Sequence, residues 1–215
     1  MDSKIKLACF DFDNTLVDFS PHYSSWDFLH SGLGVFEESQ KLKKQYFEGK
    51  FNFAEWAVKD LELWRAKGAT REILTRIIRK AKPMPRVLET LEKLRSKGLK
   101  LAVVSGGLDF VYEAFFPERI FDVIEICKAV FSKTGLIERV EAHKVEDKLS
   151  QVKRISASFG LSLNEVAFVG DHYNDVEVVS KVGLGIAFNP GHSGLEEKAK
   201  VVIREKDFSK LLDFL

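Results

Sequence analysis

A short apolar run that ends in two carboxylates is the feature that most constrains the fold of this chain. Residues 5–10 are typical of a buried strand, and Asp11 and Asp13 follow it directly, ahead of an Asn-Thr pair that favours a turn. In an open α/β sheet, the chemistry lies at the carboxyl ends of the strands. Two acids held together there are costly without a cation. The pattern therefore predicts Asp11 as a nucleophile and Asp13 as an acid/base beside a bound metal.

Two other interpretations of this stretch have to be weighed. An Asp-x-Asp pair after a strand is often only a polar turn. A calcium loop of the EF-hand type needs Gly at its sixth position and Glu at its twelfth, and counting from Asp11 those positions hold Leu16 and His22. The calcium loop is therefore excluded, and the rest of the chain must decide between a turn and a site.

The composition limits the classes of partner. The 215 residues suffice for one core, or for a core and a small second domain. Because 33 basic and 32 acidic residues nearly cancel, no net charge points to nucleic acid or to an anionic membrane. No signal peptide or membrane-spanning run is evident. Cys9 and Cys127 lie in apolar runs, so we expect buried thiols and a cytoplasmic location.

After residue 16 the spacing of apolar residues becomes that of helices. Apolar residues recur at helical spacing in residues 33–49, 53–68 and 70–81, and strand-like runs are absent. This pattern predicts a helical insert with an interior rich in aromatic side chains. The members nearest the opening motif are the candidates to face a substrate: Phe19, His22, Tyr23 and Trp26.

From residue 83 onward strands alternate with helices, which predicts an α/β core with a doubly wound, mostly parallel sheet. Two further strands end in polar groups. Residues 99–104 precede Ser105 and Gly106, which offer a hydroxyl and a backbone N–H to an anion at the start of a helix. Residues 165–169 precede Gly170, Asp171, Asn174 and Asp175.

A lysine completes the set of candidate groups. Lys148 lies in the first turn of a helix predicted over residues 146–159, where the helix dipole favours anions. Such a lysine is either a solvated surface residue or is aimed at a negative site. Taken together, the carboxylates suit Mg²⁺, and the serine, the backbone N–H groups and the lysine suit phosphoryl oxygens.

With these motifs the chain resembles the haloacid dehalogenase superfamily of phosphatases. Its four motifs occur in the expected order, at residues 11–16, residues 104–107, Lys148 and residues 170–175. The resemblance implies a Rossmann-like core of residues 1–16 and 83–215, with a type 1 helical cap of residues 17–82 inserted after the first motif. Within the superfamily, the phosphoserine phosphatases are the most similar branch.

The resemblance also implies how the reaction proceeds. Asp11 attacks phosphorus and becomes an aspartyl-phosphate, while Asp13 protonates the leaving oxygen and later deprotonates the attacking water. Ser105 and the N–H of Gly106 hold the phosphoryl group. Lys148 offsets the charge on the phosphate and on the nucleophile.

The same resemblance implies a metal site. Mg²⁺ is bound by Asp11, the backbone carbonyl of Asp13 and Asp171, with Asp175 in support. Asn174 orders the phosphate or the motif lysine. Because a carboxylate must attack a dianion, the metal and the lysine are needed for reaction as well as for binding.

The cap departs from the phosphoserine phosphatases at two positions. Those enzymes use a cap glutamate and a cap arginine for the amino and carboxylate groups of their substrate, and ungapped alignment places Ser20 and Asp60 there. We therefore expect a phosphatase for a small phosphorylated metabolite, with phosphoserine as one alternative and phosphotransferase or phosphomutase activity as another. A receiver-like phospho-acceptor module is the non-enzymatic alternative, and the cap argues against it. The sequence leaves the oligomeric state open.

Overall fold

The computed structural model describes residues 5–116, 120–141 and 147–215. Its strands, in chain order, are β1 (Leu7–Phe10), β2 (Val17–Asp18), β3 (Lys82–Pro83), β4 (Lys100–Leu108), β5 (Val123–Phe131), β6 (Ile137–Glu141), β7 (Val166–Gly170), β8 (Leu184–Phe188) and β9 (Val201–Ile203). Its α-helices are α1 (Ser25–Leu33), α2 (Phe36–Phe47), α3 (Phe53–Ala66), α4 (Arg71–Ile78), α5 (Val87–Ser96), α6 (Asp109–Phe115), α7 (Lys148–Ser158), α8 (Val176–Lys181) and α9 (Ser193–Lys198).

A seven-stranded sheet in the order β6-β5-β4-β1-β7-β8-β9 forms the centre of the fold. All of its pairs are parallel except β5 with β6. The chain runs outward from β1 through β4, returns to the other side of β1 at β7, and runs outward again. This is the predicted doubly wound α/β architecture, and the reversal of strand order beside β1 is where such sheets place their ligands.

The central strand is buried on both faces. Every residue of β1 is fully buried, as expected for a parallel sheet that helices cover on both sides. Phe10 pairs with Val103 of β4 on one side and with Val169 of β7 on the other. Asp11, the next residue in the chain, therefore lies level with the end of the regular part of β4 and with the end of β7.

Helices α1–α4 lie between β1 and β4 in the sequence, and the two connections to them run side by side. Val17 pairs with Pro83 and Asp18 pairs with Lys82 in a two-stranded antiparallel ribbon. We propose that these four helices form the cap domain of residues 17–82 that the sequence predicts.

Several predicted elements need correction in their bounds. The three predicted helices of the insert are present as α2, α3 and α4, but α1 was not among the predicted helices. Strand β4 continues through an irregularity between Val104 and Leu108, so Ser105 lies within this irregular end and not after the strand. Residue 146, the predicted start of α7, lies outside the described residues. Among the residues that are described, none of the helices combines the length and the hydropathy that crossing a membrane requires.

Candidate active site

The carboxyl ends of three adjacent strands bring the predicted motif residues to one place. Asp11 follows β1, Asp171 follows β7, and Ser105 lies in the last part of β4. Because β4, β1 and β7 are parallel neighbours, these three side chains meet at one edge of the sheet. They line a cavity of about 640 Å³, and three other predicted motif residues line it too: Asp13, Gly106 and Asn174.

Lys148 is aimed into the carboxylates and not at solvent. Its Nζ lies 3.0 Å from Oδ2 of Asp11 and 2.6 Å from Oδ1 of Asp175, and the residue is only 3% exposed. Burial alone would lower the pKa of Lys148, but the charges of Asp11 and Asp175 outweigh it and raise that pKa above its usual value. The lysine is therefore a fixed positive charge beside Asp11.

Three buried carboxylates converge beside this lysine. One oxygen from each of Asp11, Asp171 and Asp175 lies within 4.8 Å of the other two. Burial and the Asp11 charge hold the pKa of Asp171 well above its ordinary value. Burial also raises the pKa of Asp175 to about 6, despite the opposing effect of Lys148. One lysine does not balance three buried acids, so this all-oxygen set could hold a hard divalent cation.

Backbone geometry fixes the two acids that follow β7. The N–H groups of Asp171 and His172 donate to Oδ2 of Asp175, over 3.1 and 3.2 Å. A Cβ at Gly170 would lie 2.3 Å from that same oxygen, so only glycine allows Asp175 to fold back against the strand end. The hydroxyl of Thr15 is 3.4 Å from Oδ1 of Asp171, a long hydrogen bond.

A residue that the sequence analysis missed holds Asp13. The N–H and the hydroxyl of Ser25 both donate to Oδ2 of Asp13, each over 3.0 Å. Its other carboxylate oxygen, Oδ1, has no hydrogen-bond partner among the described residues. Burial, and then the charge of Asp11, raises the pKa of Asp13 to about 7 although the Ser25 bonds oppose the shift. Asp13 is thus oriented by one oxygen and can exchange a proton near neutral pH.

Ser25 is the first residue of α1, and its helix has a start signal in the sequence. The side chain of Ser24 accepts a hydrogen bond from the N–H of Asp27, and Gly34 closes the helix in the left-handed conformation. A serine followed by an acid three residues later, with a glycine at the end, is a recognised pair of helix boundaries. That signal could have located α1, but it does not show that Ser25 would reach Asp13.

Two hydrogen bonds hold the phosphate-binding candidates Ser105 and Gly106 in place. The N–H of Gly107 donates to Oγ of Ser105 over 3.1 Å, and the indole N–H of Trp26 donates to the carbonyl of Gly106 over 3.1 Å. Asn174 lines the cavity, and its Oδ1 has no hydrogen-bond partner within the described part of the chain.

The aromatic and cap candidates divide into two groups. Tyr23 and Trp26 line the cavity, as predicted for residues that face a substrate. Phe19 is fully buried against Phe12 and Phe28, and His22 packs on Phe28 and Phe36, so neither of these two predicted residues faces the cavity.

The two cap positions that depart from the phosphoserine phosphatases also differ in placement. Ser20 is exposed, and its hydroxyl accepts a hydrogen bond from Lys206 over 2.8 Å. Asp60, in contrast, is 3% exposed and lines the cavity. Of the two positions, only Asp60 is thus placed to contact a ligand in this cavity.

A second group of buried titratable side chains lines the part of the cavity that the helices form. This cap polar cluster consists of Asp27, His30, Lys43 and Asp60. Nζ of Lys43 is 3.0 Å from Asp27, while Nε2 of His30 is 3.4 Å from Oδ1 of Asp60. Neither ring nitrogen of His30, nor Oδ1 of Asp60, has a hydrogen bond among the described residues.

Burial dominates the titration of this cluster. It raises the pKa of Asp60 to about 8, with the Asp27 charge adding to the shift and Lys43 opposing it. It lowers the pKa of His30 to about 4, with Asp27 opposing and Lys43 adding to that shift. At neutral pH the cluster therefore holds an acid that burial keeps protonated.

Asp60→Asn is expected to stabilise the fold at alkaline pH. The folded-state pKa of Asp60, about 8, lies above its ordinary value of 3.8, so its contribution to stability is lost as pH rises from about 4 to 8. The opposite shift of His30 acts only below its ordinary value of 6.5. The variant's free energy of unfolding minus that of the wild type should be about 1–3 kcal/mol larger at pH 8 than at pH 5.

Urea unfolding at the two pH values measures this difference. Glu62→Gln, on the exposed face of the same helix, is the matched control and should leave the pH dependence unchanged. An equal difference between wild type and Asp60→Asn at both pH values would show that Asp60 does not titrate in this range.

Comparisons with known proteins agree with this geometry. Residues 8–180 match the family of haloacid dehalogenase-like hydrolases. The chain is 30% identical, over 217 aligned residues and 100% of both chains, to a phosphoserine phosphatase of Methanocaldococcus jannaschii. A phospho-aspartyl intermediate analogue of phosphoserine phosphatase matches its structure with a TM-score of 0.80, at 30% identity over 99% of each chain. A substrate-bound phosphoserine phosphatase complex matches with a TM-score of 0.79, at 29% identity over 99% of each chain.

Proposed function

The chain belongs to the haloacid dehalogenase-like hydrolases and is a phosphatase of that family, and on this premise we propose that it hydrolyses a small-molecule phosphomonoester through an aspartyl-phosphate on Asp11. One observation carries the proposal: Asp11 lies at the centre of a buried cluster in which Lys148 is 3.0 Å away and two further carboxylates are within 4.8 Å. A buried nucleophilic carboxylate needs this kind of charge compensation to approach a phosphate dianion.

The first half of the reaction uses a nucleophile, a set of groups that stabilise negative charge, and an acid. A carboxylate oxygen of Asp11 forms a bond to phosphorus as the bond to the leaving oxygen breaks. Lys148 and the Ser105–Gly106 segment stabilise the negative charge of the transferring phosphoryl group. Asp13 gives its proton to the leaving oxygen, and the hydrogen bonds from Ser25 hold it in position to do so.

The second half returns Asp11 to its starting state. Asp13, now deprotonated, takes a proton from the water that attacks phosphorus. The bond between phosphorus and the carboxylate oxygen of Asp11 then breaks, and inorganic phosphate leaves. Asp13 thus acts once as an acid and once as a base.

The donor set fits Mg²⁺, which we propose as the resident metal. Asp11, Asp171 and the backbone carbonyl of Asp13 would hold it, with Asp175 in support. The metal supplies Lewis-acid neutralisation of the phosphate charge. The oxygen-only donor set and the excess of buried carboxylates over lysine support this assignment.

Phosphate release from p-nitrophenyl phosphate tests the proposed function. We expect turnover with Mg²⁺ and at least about a 100-fold loss in excess EDTA, because the carboxylate repulsion is then unscreened. Adding back Mg²⁺ should restore the rate. Equal turnover in EDTA and in Mg²⁺ would refute a metal-dependent reaction at this site.

Asp13→Asn is expected to separate the two halves of the reaction. With p-nitrophenyl phosphate the leaving group needs little protonation, so the first half should proceed and release one equivalent of p-nitrophenol in a burst. The second half lacks its base, and steady-state turnover should fall by roughly 10²–10⁴-fold. Stopped-flow absorbance measures both phases, and a variant that turns over at the wild-type rate without a burst would contradict the role of Asp13.

Phosphoserine is one specific candidate for the substrate. The relatives at 30% identity are phosphoserine phosphatases, and one matched structure is a substrate-bound complex of such an enzyme. Selective turnover of phosphoserine over other small phosphates would establish it. The residues of the cap point to a different leaving group.

A further inference from the structure

The cavity contains buried titratable side chains that the proposed hydrolysis does not use. Asp27, His30 and Asp60 are 6%, 1% and 3% exposed, yet all three line the same cavity as Asp11. Asp27 and His30 lie in helix α1 and Asp60 lies in helix α3, and none of the three follows a strand of the sheet. Such a group, away from the phosphate site and facing the same cavity, is placed to read the rest of the substrate.

The unpaired atoms of this group are placed to bind a ligand. Oδ1 of Asp60 and both ring nitrogens of His30 are buried without a hydrogen-bond partner among the described residues. Buried polar atoms are normally satisfied, so exceptions call for a partner. In the cap polar cluster the unpartnered carboxylate is that of Asp60, because Asp27 already accepts hydrogen bonds from Lys43 over 3.0 Å and from Nε2 of Gln40 over 3.2 Å.

The side chains around Asp60 indicate the sign of the charge on the ligand. Lys43 is the one lysine or arginine among the described cavity-lining residues, and it is already bound to Asp27 over 3.0 Å. Burial keeps His30 neutral near pH 7. Asp60 is thus left without a cationic side chain, and its ionised form would be compensated by a positive group on a ligand.

The aromatic lining of the cavity favours the same kind of group. Nζ of Lys43 already lies over the ring of Tyr23, 4.1 Å from its centroid. Tyr46 and Trp56 stack with centroids 4.5 Å apart, and Trp26 completes the wall near His30. Aromatic faces attract ammonium groups and have no comparable attraction for a carboxylate.

Helix α1 connects the two ends of the cavity. Ser25 at its start contacts Asp13, and His30 lies five residues further along the same helix. At 1.5 Å per residue this is a displacement of about 7.5 Å along the helix axis. A substrate with its phosphate at Asp11 and a positive group only a few bonds away therefore spans the distance between the two sets of residues.

We propose that the cap polar cluster, led by Asp60, binds an ammonium group on the leaving alcohol, so that the preferred substrate is the phosphate ester of an amino alcohol without a carboxylate. This inference rests on the proposed function. It assigns Asp60 to substrate selection, with His30 held beside it. Phosphoserine carries the same amine, but its carboxylate would face the buried acids of the cluster.

Four substrates compared at equal Mg²⁺ test the proposal: phosphoethanolamine, phosphocholine, phosphoserine and the uncharged propyl phosphate. We expect kcat/KM for one of the two ammonium substrates to exceed that for propyl phosphate and for phosphoserine by at least about tenfold. In Asp60→Asn this preference over propyl phosphate should fall to about threefold or less. Glu62→Gln, exposed on the same helix, should retain the full preference.

A binding measurement separates failure of this inference from failure of the proposed function. Choline should change the tryptophan fluorescence of the wild type and inhibit p-nitrophenyl phosphate turnover competitively, and 3,3-dimethyl-1-butanol, its uncharged analogue, should do neither at the same concentration. Asp60→Asn should weaken choline binding whether or not any phosphate is hydrolysed. A preference for phosphoserine, equal turnover of propyl phosphate, or choline binding unchanged in Asp60→Asn would overturn the proposal.

Discussion

Asp11→Asn is expected to lower kcat for phosphate release by about 10⁴-fold or more, the largest effect of any single substitution in this chain. The amide has the size of the carboxylate, so the cavity keeps its shape, but it is not nucleophilic enough to attack phosphorus. The variant also removes one of the three converging carboxylates, which should lower the repulsion among them. We therefore expect loss of turnover without loss of fold.

Two measurements check this expectation. Phosphate release from p-nitrophenyl phosphate gives the rate, and urea unfolding gives the free energy of unfolding of the same preparation. Asp213→Asn, at an exposed position near the end of the chain, is a matched control and should have no effect on either. Turnover in Asp11→Asn within tenfold of the wild type would mean that another group attacks phosphorus.

Lys148→Met is expected to reduce both catalysis and stability. The substitution keeps most of the volume of the side chain but removes the charge that contacts Asp11 and Asp175. Loss of a preorganised charge beside the phosphoryl group should lower kcat/KM by roughly 10²–10³-fold. Leaving two buried carboxylates without their lysine should lower the free energy of unfolding by about 3 kcal/mol in the absence of metal.

Added Mg²⁺ distinguishes the electrostatic cause from a packing defect. Because Mg²⁺ also compensates Asp11, we expect it to raise the free energy of unfolding of Lys148→Met more than that of the wild type. Lys153→Met, a lysine in the exposed part of the same helix, should behave as the wild type in each measurement. An equal response of Lys148→Met and the wild type to Mg²⁺ would contradict the charge-pair account.

The sequence was most informative where a strand and its side chains are consecutive. The apolar run before Asp11 and the strands before Ser105 and Asp171 predicted both the sheet and the residues at its edge, because strand ends in a parallel sheet share one side. The position of Lys148 at a helix start left open a solvated lysine or one aimed at a negative site, and the structure shows the second, because the lysine contacts Asp11 and Asp175.

The cap could not be predicted to the same depth. Its residues approach the site from helices whose packing depends on tertiary contacts, so Phe19 and Tyr23, close in sequence, separate into core and cavity wall. Ser25 was missed because nothing in its local sequence shows that α1 begins against Asp13. The pairing of His30 with Asp60 joins α1 to α3 and has no signal in either segment alone.

Chemical trapping of the intermediate tests the central claim most directly. Asp13→Asn mixed with p-nitrophenyl phosphate and Mg²⁺, then denatured and reduced with borohydride, should contain homoserine at position 11, since borohydride reduces an acyl phosphate to the alcohol. Peptide mass spectrometry should find the modification at Asp11 and leave Asp171 and Asp175 unchanged. Modification of either of those residues in place of Asp11, or an unmodified chain from a reaction with a full burst of p-nitrophenol, would contradict the assignment of Asp11 as the nucleophile.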